Sequence, residues 1–192
     1  YINYNEQFKL FYNNVSEVLE NQPVRQFQVG RNIVAYVDIN NIFKIYYKGQ
    51  SFTIDPFAPK SFMAGDDVVA FQGNDGYFRI FYKGILTTIG YYDPHYQVAD
   101  RIVAYADPNG FFKVFYEGEQ TVLDNYYPEK LKAGYNSVVY TNKGNTLRMF
   151  SKGKVYDVTT MSLLDMRLDY DVLQYKVGLN AFKMFYNGNY YN

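Results

Sequence analysis

One five-residue phrase is written six times along this chain, and the spacing of the copies constrains its fold more than any other feature. The copies are Phe8-Lys9-Leu10-Phe11-Tyr12, Phe43-Lys44-Ile45-Tyr46-Tyr47, Phe78-Arg79-Ile80-Phe81-Tyr82, Phe112-Lys113-Val114-Phe115-Tyr116, Leu147-Arg148-Met149-Phe150-Ser151 and Phe182-Lys183-Met184-Phe185-Tyr186. Their starts lie 35, 35, 34, 35 and 35 residues apart. A period that regular denotes an array of one supersecondary unit. No linker interrupts it, so the 192 residues read as a single domain.

The clearest unit contains four short runs. Val68-Val69-Ala70-Phe71 is apolar and rich in β-branched residues, and it matches Ile33-Val34-Ala35-Tyr36, Ile102-Val103-Ala104-Tyr105 and Ser137-Val138-Val139-Tyr140. This pattern predicts a strand, B. A turn of Asp, Asn, Pro and Gly follows, as in Asp38-Ile39-Asn40-Asn41, Gly73-Asn74-Asp75-Gly76 and Asp107-Pro108-Asn109-Gly110. These residues supply the positive φ and local hydrogen bonds of a tight hairpin. The repeated phrase is strand C. It ends at Lys48-Gly49, Lys83-Gly84, Glu117-Gly118, Lys152-Gly153 or Asn187-Gly188, with Asn13-Asn14 in the first copy. Strand D follows, for example Leu86-Thr87-Thr88-Ile89. A longer loop with a proline column (Pro23, Pro59, Pro94, Pro128) then leads to a last short strand, A.

Four short antiparallel strands per unit predict an all-β chain. A helical solenoid has a similar period, but Gly, Pro, Asn or Asp punctuates this chain every six to ten residues. A β-solenoid or open repeat sheet is the rival. The favoured architecture is a β-propeller of four-stranded antiparallel blades. Blades pack face to face, so their strands should be apolar on both sides. In strand C, Phe43, Ile45 and Tyr47 face one way and Tyr46 the other. The small residue of strand B (Ala35, Ala70, Ala104) should leave room for a neighbouring aromatic. Tyr1 falls in the column of Tyr36 and Phe71, and Asn192 falls inside the last strand D. Six blades with trimmed ends are therefore expected.

Composition narrows the function. With 19 basic and 19 acidic residues, the net charge is zero, which argues against a nucleic-acid partner. No run of about 18 apolar residues predicts a membrane span. The chain has no Cys and begins at Tyr1. Together with the abundant Tyr and Asn, these features suit a periplasmic or extracellular protein.

In an up-and-down blade, the B–C and D–A loops emerge on one face, and the long D–A loops carry aromatics beside proline. This face is the candidate partner-binding surface: Asp38, Asn40, Asn74, Asp75, Asp107 and Asn109 from the B–C turns, and Phe57, Tyr91, Tyr92, His95, Tyr126 and Tyr127 from the D–A loops. Tyr on short loops offers large contact area at low entropy cost. The competing reading folds the aromatics back over the blade core.

Other motifs point to structure rather than chemistry. The Asp-x-Asn pairs lack the further ligands of a calcium loop. His95 is the only histidine, and no triad or transition-metal set surrounds it. Asp66, Asp67, Asp93, Asp124, Asp169 and Asp171 are the carboxylates that could act as a glycosidase pair, but they recur at turns. No enzyme activity and no cofactor or metal is expected. Lys9, Lys44, Arg79, Lys113, Arg148 and Lys183 form a basic column that could line a ring for an anion, but each stem is rather expected along the sheet with its charge in water.

The repeat Val-Ala-Tyr-x-Asp-x-Asn-Gly-x-Phe-Lys-x-Phe-Tyr-x-Gly resembles bacterial β-propeller repeats of the non-catalytic kind, over nearly the whole chain. A Tyr- and Asn-rich propeller without Cys is also similar to accessory subunits of outer-membrane machines, such as the periplasmic plug of the type IX secretion translocon. The resemblance implies a protein-binding scaffold in the cell envelope, with a protein partner that could be an outer-membrane channel. A lectin-like module using loop aromatics for sugars is the alternative, though the absence of Trp counts against it.

Overall fold

The structure is a computed structural model that describes residues 1–179 and 181–191. Among these residues every regular element is a β-strand. Contacts gather into two compact units, Tyr1–Tyr91 and Tyr92–Asn192. The expectation that Asn192 lies in the last strand falls outside the described residues.

The first unit holds three antiparallel sheets. The first sheet has two strands, β1 (Phe8–Tyr12) and β2 (Val15–Glu20). The second is a four-stranded meander of β3 (Gln26–Val29), β4 (Ile33–Val37), β5 (Phe43–Tyr47) and β6 (Gln50–Asp55). The third repeats it with β7 (Ser61–Ala64), β8 (Val68–Gln72), β9 (Tyr77–Tyr82) and β10 (Ile85–Tyr91).

The second unit holds three more meanders. They are β11 (Tyr96–Val98), β12 (Ile102–Ala106), β13 (Phe112–Tyr116) and β14 (Glu119–Asp124); then β15 (Leu131–Ala133), β16 (Ser137–Thr141), β17 (Leu147–Ser151) and β18 (Lys154–Thr159); and last β19 (Asp165–Asp169), β20 (Val172–Gly178), β21 (Ala181–Tyr186) and β22 (Asn189–Tyr191). The repeated phrase is a strand in all six sheets.

Alternation along each strand distributes side chains to two neighbours, because successive Cβ atoms point to opposite faces. Ile33, Ala35 and Val37 of β4 join Phe43, Ile45 and Tyr47 of β5 in a core with Val69, Phe71 and Phe81 of the third sheet. Val34 and Tyr36 point the other way, to Phe8 of the first sheet. The second unit repeats this: Ile102, Ala104, Phe112 and Val114 meet Val138, Tyr140 and Phe150. Val139, Leu147 and Met149 in turn meet Leu173, Tyr175 and Phe185. Ala35 and Ala104 share these clusters with aromatics of the following sheet, as their size predicts. Strands buried on both faces are what stacked blades require, and the β-propeller architecture expected from the sequence is the one observed.

Two local features escaped the sequence. The pairing of strands C and D slips at one place in five sheets, between Phe8/Lys9, Phe43/Lys44, Thr88/Gly90, Phe112/Lys113 and Leu147/Arg148. The extra residue of this bulge is apolar, and in Leu123 and Val158 it is buried. A bulge re-aims one residue that strict alternation would send elsewhere. The second feature is the reason for glycine at the turn after strand A. Gly30 has no positive φ, but a Cβ there would stand 1.5 Å from the Gly65 carbonyl oxygen of the next sheet. The requirement is close backbone approach. By contrast, the turns after strand C do need positive φ at both central residues, as at Lys48 (48°) and Gly49 (84°), the geometry of a type I′ hairpin. Asn13 and Asn14 meet the same demand at 50° and 60°.

Candidate functional site

The B–C turns are closed by their own first residue. Asp38 Oδ1 accepts hydrogen bonds from the Asn40 and Ile42 amides, both at 2.9 Å. Its Oδ2 lies 2.9 Å from Lys44 Nζ, which also reaches Glu20 of the first sheet at 2.7 Å. Burial alone would raise the Asp38 carboxyl, but Lys44 and the two amides hold it below the usual carboxylate range. Asp107 repeats the design: it accepts from the Asn109 and Phe111 amides at 2.9 and 3.0 Å and pairs with Lys113 at 2.8 Å. Its carboxyl is likewise depressed against the effect of burial. Both aspartates are buried. Their carboxylates are engaged in holding the loop.

The basic column is engaged in the same way. Lys44, Arg79, Lys113 and Arg148 are mostly covered and ion-paired, rather than displayed to water. Arg79 grips Asp75, so that carboxylate is also engaged although it is exposed. Asn40, Asn74 and Asn109 are exposed at the turn tips.

The candidate carboxylates are spread over several turns and strand ends. Asp67 accepts from the Asn32 side chain at 2.9 Å, and Asp171 from the Asn136 amide at 2.9 Å and the Ser137 hydroxyl at 2.7 Å. Each therefore ties one sheet's turn to the preceding sheet.

The loop aromatics divide between the two readings. Tyr127 folds in: its ring meets Phe112 edge-on at 5.4 Å, and burial pushes its phenol up to about 12. Tyr92 is half-buried, and its phenol is also raised, by burial first and then by Tyr105 and Asp107. Phe57, Tyr91 and Tyr126 stay more than half exposed. Tyr91 is a strand residue rather than a loop residue, paired with Tyr77 and packed edge-on against it at 5.4 Å. His95 is exposed, with its ring 6.0 Å from that of Tyr127.

In the second unit, one D–A loop and the next B–C loop together form a cleft of about 530 Å³. Tyr126, Tyr127, Asn142 and Lys143 line it, with Asp124 and Thr141 deeper. Lys143 Nζ sits 3.2 Å over the Tyr126 ring. A single residue type explains why the cleft opens here. Asn142 occupies the column of Asp38 and Asp107, so strand C's cation has no carboxylate in its own turn. Arg148 instead bonds Asp157 at 2.7 Å and stays 3.7 Å from Asp124 Oδ2. At that distance it is an ion pair but not a hydrogen bond. Asp124 Oδ2 and Thr141 Oγ1 are thus buried without a hydrogen-bond partner. At the corresponding place in the first unit, where Lys44 binds both Glu20 and Asp38, only a hollow of about 160 Å³ remains. Lys143, Asn142 and Thr141 were not singled out from sequence. The signal was there: Thr141-Asn142-Lys143-Gly144-Asn145 departs from the Asp-x-Asn turns at Asp38 and Asp107.

Four-stranded meanders stacked through apolar faces define a β-propeller repeat protein. The chain belongs to the family of the 10-bladed beta propeller domain, whose sequence pattern matches residues 1–191. The family description counts ten blades, and this chain carries six sheets among its described residues. No curated protein matches it in sequence. Among solved structures it is similar to the computationally designed Ika8 protein, at 16% identity and TM-score 0.41, covering 95% of this chain and 65% of that one. It is similar to yeast RCC1 (Prp20), solved with Kap60 bound, at 7% identity and TM-score 0.50, covering 84% and 55%. PorZ, a surface component of the type IX secretion system of Porphyromonas gingivalis, matches at 10% identity and TM-score 0.44, covering 90% and 28%. The chain thus spans less than two thirds of the length of each. Identities this low speak to fold alone.

Proposed function

We propose that this protein is a non-catalytic scaffold that binds a protein partner through its B–C and D–A loop edge, with the Tyr126–Lys143 cleft as the anchor. The observation that carries the reading is the pair of buried, unbonded oxygens, Asp124 Oδ2 and Thr141 Oγ1, at the base of an aromatic-rimmed cleft. A buried oxygen without a hydrogen bond costs about 1–3 kcal/mol; Asp124 Oδ2 keeps only its 3.7 Å ion pair with Arg148, and a partner's amide or ammonium group would supply the missing bonds. Exposed Tyr at the rim fits the usual composition of protein-binding hot spots. Yeast RCC1 (Prp20), which shares the fold, has a structure with Kap60 bound to it.

The engaged carboxylates support the absence of catalysis, because Asp67, Asp171 and Asp75 already serve turns and ion pairs. A lectin reading is weaker here, because the Tyr126 face that a sugar would stack on is occupied by Lys143. The finer placement is in a cell-envelope complex outside the cytoplasm, including the plug of a secretion channel as one form. It is supported by the Cys-free, Tyr- and Asn-rich composition.

The test compares capture of partners from an envelope fraction by the native chain and by Tyr126→Ser/Lys143→Ser, alongside a glycan array. One protein held by the native chain and lost from the variant, with a silent array, supports the reading. Capture indifferent to the variant, or saturable sugar binding, refutes it.

A further inference from the structure

The chain carries a filled counterpart of the Tyr126–Lys143 cleft, and what fills it is a lysine. In the second sheet the Lys44 ammonium sits between two carboxylates, Glu20 at 2.7 Å and Asp38 at 2.9 Å. Each of these groups has an equivalent around the cleft. Glu20 pairs opposite Phe8, and Asp124 opposite Phe112, at the same place of strand D. Lys44 pairs opposite Tyr36, and Arg148 opposite Tyr140. Asp38 and Asn142 both open their turns, where each side-chain oxygen accepts the amide four residues on, Ile42 or Thr146, at 2.9 Å. The difference is where the cation of strand C goes. Arg148 turns to Asp157 at 2.7 Å and stays 3.7 Å from Asp124 Oδ2. Among the described residues none donates a hydrogen bond to Asp124 Oδ2, whereas Lys44 bonds the equivalent Glu20. Thr141 adds a second acceptor. It stands in the column of Val37 and Ala106, whose side chains carry no hydroxyl, and its Oγ1 is buried without a hydrogen bond. At the rim the Lys143 ammonium lies over the Tyr126 ring, so that face already accepts a cation.

We propose that the cleft takes a lysine side chain of the partner, whose ammonium displaces Lys143 from Tyr126 and bonds Asp124 Oδ2 and Thr141 Oγ1. This rests on the reading of the cleft as the anchor. An ammonium has three donors and no acceptor, and the site offers it two acceptor oxygens and an aromatic face. The charges agree. Asp124 and Asp157 share one guanidinium, Arg148, while Glu129 and Lys130 at the mouth offset each other. A neutral amide would bond the oxygens but leave that excess carboxylate charge uncompensated. A guanidinium would set a second bulky cation against Arg148. Lys143 is exposed, and an exposed contact of a cation with a ring is weak, so it yields readily.

The probe is the tripeptide acetyl-Gly-Lys-Gly-amide, titrated into the full chain and followed through the amide resonances of Tyr126, Thr141 and Asn142. Saturable shifts confined to the cleft are expected. The same tripeptide with an acetylated lysine should bind at least about tenfold more weakly, and one with arginine at least about threefold more weakly. Asp124→Asn in the protein should weaken lysine binding at least about fivefold, whereas Lys143→Met should tighten it about two- to fivefold by removing the competing cation. Absent saturation, equal binding of the acetylated peptide, tighter binding of the arginine peptide, indifference to Asp124→Asn, or no gain with Lys143→Met would each overturn the proposal. The peptide comparisons use the native chain, so they do not depend on any variant folding. No partner enters this titration, which separates its failure from that of the anchor reading. If lysine does not bind but capture is still lost from Tyr126→Ser/Lys143→Ser, the anchor stands and the lysine falls. If lysine binds and capture ignores that variant, the anchor falls and the cleft keeps its ligand.

Discussion

Replacing Asp171 with alanine should cut the tie between the last two sheets of the second unit. Asp171 is 7% exposed, and its Oδ1 accepts the Asn136 amide at 2.9 Å and the Ser137 hydroxyl at 2.7 Å. The third contact, Asn136 Nδ2 at 3.5 Å, is at the limit of a hydrogen bond and adds little. The hydroxyl has one proton, so Ser151 must donate to Ser137 across their 2.9 Å contact. After truncation, Ser137 keeps Ser151 as a partner, but the Asn136 amide is left buried and alone. Hydrogen bonds to a charged group contribute about 1.5–3 kcal/mol each. Two such bonds, less what Ser137 recovers, set the loss at roughly 3–4 kcal/mol. Asp171→Asn keeps an acceptor oxygen without the charge and should lose about 1–2 kcal/mol. Urea denaturation followed by Tyr fluorescence measures the loss, and amide exchange at Asn136 localises it, which matters because stacked repeats need not unfold as one unit. A loss below about 1 kcal/mol for alanine, or equal losses for alanine and asparagine, would refute the account of Asp171 as a charged clasp.

Three further outcomes are expected. Because the native Asp107 and Asp38 carboxyls lie below their unfolded values, the unfolded chain takes up protons first as pH falls. Their contribution is then complete above about pH 5 and is lost as pH falls through the native values; Asp107→Asn should flatten part of that acid slope in urea melts from pH 6 to about 2. Gly30→Ala should destabilise by about 3 kcal/mol or more by thermal denaturation, because the clash is with the Gly65 carbonyl and no side chain can swing aside; a near-neutral result would mean the turns are not in contact. Glu117 holds φ at 52° on an exposed turn, so Glu117→Asn should stabilise by about 0.5 kcal/mol in the same assay, since Asn tolerates the left-handed region better.

Much of the blade could be read from the residues, and the site only in part. Val34 and Ala35 announced opposite faces by alternation. Lys48-Gly49 and Asn13-Asn14 announced tight hairpins because φ at a turn depends on the residue that adopts it. At the loops the reading divided. Tyr126 and Tyr127 are adjacent and chemically identical, yet one is exposed and the other packs on Phe112. Nothing in a few residues of context distinguishes them. Asp38 and Asp107 looked like contact groups because their exposure depends on Lys44 and Lys113 bending back over the turn. The cleft escaped notice because it arises from a missing carboxylate at Asn142 and a diverted Arg148.

The sequence by itself determined the period, the strands, the hairpin turns and which face of each strand is apolar. All of these are set by backbone preferences and side-chain spacing within a few residues. Only the tertiary structure decided which glycine is required by a neighbouring carbonyl, which carboxylates are neutralised and which aromatic is left in solvent. Those outcomes depend on how side chains fold back and meet, from Lys113 over Asp107 and Tyr127 on Phe112 to Gly30 against Gly65 of the next sheet. Their energies come from desolvation and pairing at the contact, which local pattern does not encode.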